Sequence, residues 1–427
     1  MEELYQENRA FEKRLKRQVI GKPHRFLAVV PLGFEQTFVR EMQNSVTFHV
    51  VGDGKVEFTA KLVDAWKIVA YCRIANRILM HIADFKAENF RDLEKKANEI
   101  PWELFLDNKG PARVDIHVSC KHSRLYHSDA VAERIDKILP ASSTPQSLFV
   151  SLVDDRCTLW LDLAGEELYK RGHERFVNDA PLKETIAAAM LFEATRMAVA
   201  PAQSGAITLI DPMAGSGTFS LEAAYQANDL IPGLCRDFAL KHQPAFKETT
   251  WKFITSHEPP ASRLFQFVNI VTSDISGKAV EIIRHNVECS PLATVAPSGP
   301  APVLDPQIRD FFSYTAAEIA DAASSSSQPV ILLNPPYGKR LDFDAPRLYT
   351  HIGRRLAELA RDLAPFNKAL TVAILAPKDD TRPGSRYTCT ANLLRECPAL
   401  DPDKNTEAKS IATSHGGFAL NAIIARI

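Results

Sequence analysis

Residue types restrict the chemistry most at Asn334-Pro335-Pro336-Tyr337, which runs straight on from the apolar Ile331-Leu332-Leu333 and is followed by Gly338. Two consecutive prolines stiffen the backbone and remove two N–H donors, leaving carbonyls that only accept. The Asn334 side-chain oxygen and the Pro335 carbonyl can both accept from one exocyclic NH2 group, and Tyr337 offers a face on which a planar base stacks. An aniline-like amine is a poor nucleophile because its lone pair is delocalised into the ring. Two acceptors that draw its hydrogens out of plane localise that pair toward an electrophile, through positioning and electrostatics. Asn is not a strong base, so proton loss is expected to follow the transfer. Asn334, Pro335, Pro336 and Tyr337 are therefore the catalytic candidates. The competing reading, a rigid proline turn, leaves the coincidence of Asn, Pro-Pro and Tyr-Gly unexplained.

Asp211-Pro212-Met213-Ala214-Gly215-Ser216-Gly217-Thr218 lies between an apolar strand and a predicted helix. Glycines at 215 and 217 permit a sharp turn and close approach of a ligand, and the helix start offers unpaired N–H groups. There is no third glycine at dinucleotide-binding spacing and no Gly-Lys-Ser/Thr. An acid at the strand end, Asp211, suits an amino or sulfonium group better than a polyphosphate, which points to S-adenosylmethionine. Asp274, with Ile275 after it, ends the next strand, where a carboxylate accepts from ribose hydroxyls. Asp310 with Phe311 follows, a carboxylate for an adenine amino group beside an aromatic ring. All three sit where open α/β sheets bind ligands. Singly, each has a plainer explanation: a tight turn, a helix cap at Asp274, core packing for Phe311 and Phe312. The cofactor candidates are Asp211, Pro212, Ala214, Gly215, Gly217, Thr218, Asp274, Ile275, Asp310, Phe311 and Asn334. No metal is expected, because the carboxylates are spread over separate strand ends and no His pair sits at ligand spacing.

The elements that must position these residues fall into two patterns. From Ile207–Ile210 onward, buried strands at 267–272, 330–333 and 370–375 alternate with helical stretches, which reads as an open parallel sheet with helices on both faces. An apolar strand closes the chain at 417–427. Before that, a polar leading helix precedes a buried strand in 26–33, a helix over 34–42, a half-exposed strand over 56–60 and a helix over 62–74. The order helix, strand, helix, strand, strand then runs from Phe90 to Leu163, with Ser128 as a helix cap, a small α+β arrangement. The stretch 166–178, rich in charge and poor in periodicity, reads as the joint. Residues 291–306 and 322–327 read as surface loops.

The chain of 427 residues has 45% hydrophobic residues and a net charge of −1, so bulk positive charge does not hold a nucleic acid, although a local patch can. No apolar run is long enough to span a bilayer. Seven scattered cysteines without a CxxC indicate neither a disulfide framework nor a Cys-based zinc site, and a reducing cytoplasm is expected.

These motifs together resemble the bacterial THUMP-bearing RNA methylases similar to the large-subunit rRNA guanine-N2 methyltransferases. The resemblance also rests on Phe26 to Gly33, Gly54 to Phe58, Cys72 to Arg77, Ser123 to His127, Lys170 to His173 and Ala180 to Glu184. It implies an α/β protein: a helix and ferredoxin-like segment over 1–65, a THUMP RNA-binding domain over 66–165, a linker over 166–180, and a Rossmann-like class I methyltransferase domain over 181–427. The implied reaction is methyl transfer to guanine N2 of 23S rRNA, by a protein expected to be a monomer. Ser276 departs from the pattern, standing where a second acid often follows Asp274. Lys339-Arg340 and the stretches around Pro297 and Pro402 depart as well.

For RNA contact, Lys121, His122, Arg124, Tyr126 and His127 form a basic and aromatic cluster suited to phosphate contacts and stacking. Arg171, His173 and Arg175 are further candidates. The plainer alternative is an exposed polar turn with Tyr126 packed inward. Three rival functions remain open at this point: adenine-N6 transfer on RNA or DNA, guanine-N2 transfer on tRNA, and a non-catalytic RNA-binding ribosome-assembly factor. No major-groove reader is visible in the sequence, which disfavours a DNA enzyme.

Overall fold

A computed structural model describes residues 2–43, 45–107, 109–177, 181–199, 205–256, 265–294, 302–324, 326–337, 344–380 and 388–427. Ala180, Gly338, Lys339, Arg340 and Pro297, singled out above, lie outside the described residues. The chain forms two compact units. Met1–Val30, Met42–Lys170 and Arg236–Pro260 make the first, and Pro31–Glu41, Arg171–Cys235 and Ala261–Ile427 make the second.

The first unit holds strands β1 (His24–Val29), β2 (Phe48–Gly52), β3 (Lys55–Ala60), β4 (Arg77–Lys86), β5 (Val114–Lys121), β6 (Gln146–Val153) and β7 (Arg156–Asp162). They make one sheet in the order β2-β3-β1-β4-β7-β6-β5. The expected boundary at 65/66 therefore needs correction. It falls inside the helix Leu62–Tyr71, and β4 pairs with β1 on one side and β7 on the other, so backbone hydrogen bonds run unbroken across both expected pieces. Helices Phe90–Asn98 and Ser128–Asp136 bury Leu93, Val131 and Ile135 against Leu148, Val150 and Leu159. Ser128 is the first helical residue rather than the cap, which is His127.

Two segments change sides relative to the expected domains, in each case because distant partners satisfy polar groups. The helix Glu35–Glu41 belongs to the second unit. There the buried Glu193 carboxylate accepts from Thr37 Oγ1 (2.6 Å) and Arg40 Nη1 (2.8 Å) and pairs with Lys409. Residues 236–260 belong to the first unit. Arg236 donates to the carbonyls of Glu166 (2.6 Å) and Glu167 (2.8 Å), Tyr71 Oη donates to the Ile254 carbonyl (2.7 Å), and Trp66 packs on Phe246. Buried ions and carbonyls left unpaired cost more than the excursion of the chain that supplies them.

The second unit holds β8 (Gly205–Asp211), β9 (Phe265–Asp274), β10 (Gln307–Ile308), β11 (Ser327–Leu333), β12 (Thr371–Pro377), β13 (Ala408–His415) and β14 (Phe418–Arg426), in the order β10-β9-β8-β11-β12-β14-β13. Counted within the sheet this is 3-2-1-4-5-7-6. The first five strands are parallel, β14 is antiparallel to β12, and β13 pairs antiparallel with β14 at the edge. β12 is buried along its whole length and β11 nearly so, as strands covered by helices on both faces must be. The helix Ala345–Leu363 shows the matching pattern: Tyr349, Ile352, Leu356, Leu359 and Leu363 lie on one stripe and are all buried.

Candidate active site

The strand order reverses between β8 and β11, and crevices outside the carboxyl ends of strands at such a reversal are where open sheets hold ligands. Asp211 ends β8, Asp274 ends β9, and Asn334 follows the last residue of β11. A cavity of about 510 Å³ opens there. Pro212, Ala214, Gly215 and Thr218 line it from the turn after β8. Asp274, Ile275, Asp310 and Phe311 line it from the next two strands, and Asn334, Pro335, Pro336 and Tyr337 from β11.

The turn is built from backbone geometry. Gly215 (φ 57°) and Gly217 (φ 78°) occupy the left-handed region, where a side chain is strained. Gly217 has a second constraint, since a Cβ there would meet Ile283 Cγ1 at 3.0 Å. It is not among the cavity-lining residues, so the constraint seen on it is the packing of the turn.

Asp274 Oδ2 accepts from the Gly215 N–H (2.9 Å) and Oδ1 from the Ser276 N–H (2.9 Å), which locks the carboxylate and leaves each oxygen a further lone pair. The helix cap belongs to Ser276, whose Oγ accepts from the Ala279 N–H. Asp310 Oδ1 accepts from the Phe312 N–H (3.0 Å), which starts a short turn and sets Phe311 into the core beside the cavity. Tyr337 meets Phe418 edge-on, with ring centroids 5.9 Å apart. The Asn334 Oδ1 atom is buried and has no hydrogen-bond partner among the described residues.

Asp211 stands apart from the other cofactor candidates. It is fully buried and does not line the cavity. Its Oδ2 accepts from Ser220 N–H (3.2 Å) and Oγ–H (2.7 Å), which ties it to the helix Thr218–Ala227, while its Oδ1 is buried with no hydrogen-bond partner among the described residues. Burial pushes its carboxyl up to about 7; the Ser220 bonds oppose this, and the nearby Asp274 charge adds to it. The unfolded value is about 3.9. The proton held in the folded state thus favours folding fully below the unfolded value, and that benefit is lost as pH rises through 7. Asp211→Asn keeps an acceptor for Ser220 without a charge to bury. Its stability relative to the wild type should rise between pH 5 and 8.5, by on the order of a few kcal/mol. Urea midpoints across that range check this, and a constant gap between the two proteins would refute it.

Arg171 also departs from its expected role in RNA contact. Its guanidinium lies in the core, with Nε donating to Glu222 Oε1 (2.8 Å) and Nη2 to Oε2 (3.1 Å), both side chains at most 3% exposed. Arg175 is turned inward too. It donates from Nη2 to Thr218 Oγ1 (2.5 Å), pairs with Glu184, and is held by burial at about 10, still protonated near neutrality. His173 Nε2 shares a hydrogen bond with Tyr225 Oη. The sequence marked these residues as a charged joint; nothing local signalled that their partners lie in helices beyond it.

The other cluster stays at the surface of the first unit. Lys121 ends β5, and Lys121, Arg124, Tyr126 and His127 are exposed, Tyr126 at 69%, with its ring 4.1 Å from that of His127. Leu125, not Tyr126, packs inward. Arg124 pairs with Glu88 and Asp155.

Comparison with known proteins agrees with this geometry. Residues 171–296 match the family model of the RMKL-like methyltransferase domain, and residues 25–79 match that of the RlmL ferredoxin-like domain. Ribosomal RNA large subunit methyltransferase K/L of Syntrophotalea carbinolica is 31% identical over 360 residues, which cover 78% of this chain and 47% of that protein. YpsC of Bacillus subtilis, provisionally named an RNA methyltransferase, is 26% identical over 334 residues, 75% of this chain and 80% of its own. The chain thus spans about half the length of the K/L relatives it matches. The crystal structure of SMU.472 complexed with SAH shares the fold, with a TM-score of 0.69 at 22% identity over 95% of this chain and 98% of that one.

SAH is what S-adenosylmethionine becomes once its methyl group is transferred, and S-adenosylmethionine is the cofactor to which the sequence motifs point. The residues present fit it: locked carboxylates at two successive strand ends, an aromatic beside the second, and a glycine turn at the first, around a cavity large enough for a nucleoside. The chain therefore carries an RlmL-type ferredoxin-like domain together with an RMKL-like methyltransferase domain.

Proposed function

We propose that the chain methylates an exocyclic base amine of RNA, guanine N2 of 23S rRNA. The observation that carries this reading is the Asn334 Oδ1 atom, a buried acceptor with no partner among the described residues, on the wall of the cavity that Asp274 and Asp310 also line. A buried acceptor left unpaired costs about 1–3 kcal/mol, a cost offset when a ligand N–H supplies the bond. S-adenosylmethionine supplies a methyl group on a sulfonium. Asn334 Oδ1 and the Pro335 carbonyl accept the two amine hydrogens, Tyr337 stacks on the base, and the surplus proton passes to water after transfer. The base must leave its stack to reach the cavity, so an unpaired or locally opened site is expected. Asp274 holds the ribose and Asp310 the adenine amino group of the cofactor.

The names of the K/L relatives support large-subunit rRNA as the substrate. The RNA grip is assigned to the first unit, with Lys121, Arg124, Tyr126 and His127 as its contacts. The protein works as a cytoplasmic monomer in this reading. Among the described residues, no helix is long and apolar enough to cross a membrane. Nucleoside mass spectrometry on rRNA from cells with and without the gene tests the assignment. One N2-methylguanosine should vanish on deletion and return on complementation. Loss of N6-methyladenine instead would overturn the guanine assignment, and a change confined to tRNA would overturn the rRNA assignment.

A further inference from the structure

We propose that Glu174, His285 and Cys289 form a zinc site on the methyltransferase unit, independent of the methyl-transfer chemistry. The ligand atoms of these three residues lie within 4.8 Å of one another. His285 and Cys289 stand one turn apart at the end of the helix Gly277–Glu288, with Cys289 Sγ 3.3 Å from His285 Nε2. Zinc bonds of about 2.0–2.3 Å in a tetrahedron put neighbouring donors roughly 3.4–3.6 Å apart, so this pair already has the required spacing. Glu174 is exposed, and its carboxylate, within 4.8 Å of both other ligand atoms, would complete three ligands, with water as the fourth.

A separate feature holds Glu174 in range. The Asn286 amide clamps the neighbouring backbone: its Oδ1 accepts from the Phe176 N–H (2.8 Å), and its Nδ2 donates to the Phe176 carbonyl (2.9 Å). The Phe176 ring lies 4.2 Å from that of His285. The helix carboxyl end contributes partial negative charge where the cation would sit. One thiolate, one imidazole and one carboxylate suit a borderline cation such as zinc and disfavour magnesium and calcium, which take oxygen ligands. On binding, the Cys289 thiol gives its proton to solvent.

The ion does not touch the cavity. It fastens the chain segment that delivers Arg175 to Thr218 onto a helix whose Asn286 also donates to the Ser216 carbonyl (3.1 Å). Zinc would therefore staple the outer wall of the cofactor turn.

Metal-stripped full-length protein titrated with cobalt(II), then with zinc, tests the site. One equivalent of cobalt should bind with a thiolate-to-metal charge-transfer band, and zinc should erase it. Cys289→Ala should abolish the band. His285→Ala and the surface change Glu174→Gln should each weaken binding at least about tenfold. Cys235→Ala, which alters an exposed thiol elsewhere, should leave the titration unchanged. No thiolate band in the wild type, a band that survives in folded Cys289→Ala, or wild-type affinity in Glu174→Gln would overturn the proposal.

Discussion

Asn334→Ala is expected to lower kcat by about 10²–10³-fold while S-adenosylmethionine affinity stays near wild type. The substitution removes an acceptor whose partner, in the proposed reaction, belongs to the target amine. The interaction matters most when the nitrogen lone pair is being localised, so its loss falls on the step rather than on binding. Stability should hold or rise slightly, because the buried Oδ1 has no partner to lose among the described residues. Single-turnover methyl transfer to rRNA and calorimetry with the cofactor separate the two quantities. A tenfold loss of cofactor affinity with kcat intact would show that Asn334 serves the cofactor and would remove the support for amine activation.

Glu222→Ala should destabilise the protein by about 3–5 kcal/mol, because the Arg171 guanidinium stays in the core without that carboxylate. Replacing both partners with apolar side chains, Arg171→Met with Glu222→Leu, should recover most of the loss, since two charges then need not be desolvated. Urea denaturation of the single and double variants measures this. The reading of Arg171 as an RNA contact makes the opposite forecast for Arg171→Met alone, with weaker RNA binding at unchanged stability. That outcome would show the pair to be dispensable to the fold.

What could be read without coordinates was local. The half-exposed strand around Val56 and the central strands around Leu209, Ile331 and Val372 show their period or their apolar run within a few residues. β4 escaped because a register shift between His81 and Ala83 breaks its alternation, and β13 because it is an edge strand exposed on much of its length. The split at 65/66 failed for a related reason: nothing in a linear pattern says that β4 will pair with strands on both sides of it.

The sequence by itself determined the kind of site. Asn334-Pro335-Pro336-Tyr337, the glycine turn and the acids at Asp274 and Asp310 are short segments whose donors, acceptors and permitted backbone angles are set by adjacent residues. Only the tertiary structure decided that Asp211 bonds to Ser220 at the start of a helix, that Gly217 sits against Ile283, and that Arg171 and Arg175 face inward. It also moved 31–41 and 236–260 across the expected boundaries. The physical reason is that a charge or a polar group is buried only when a partner meets it. Those partners stand 51 residues away for Arg171 and 156 for Thr37, beyond the reach of any periodicity in a single chain.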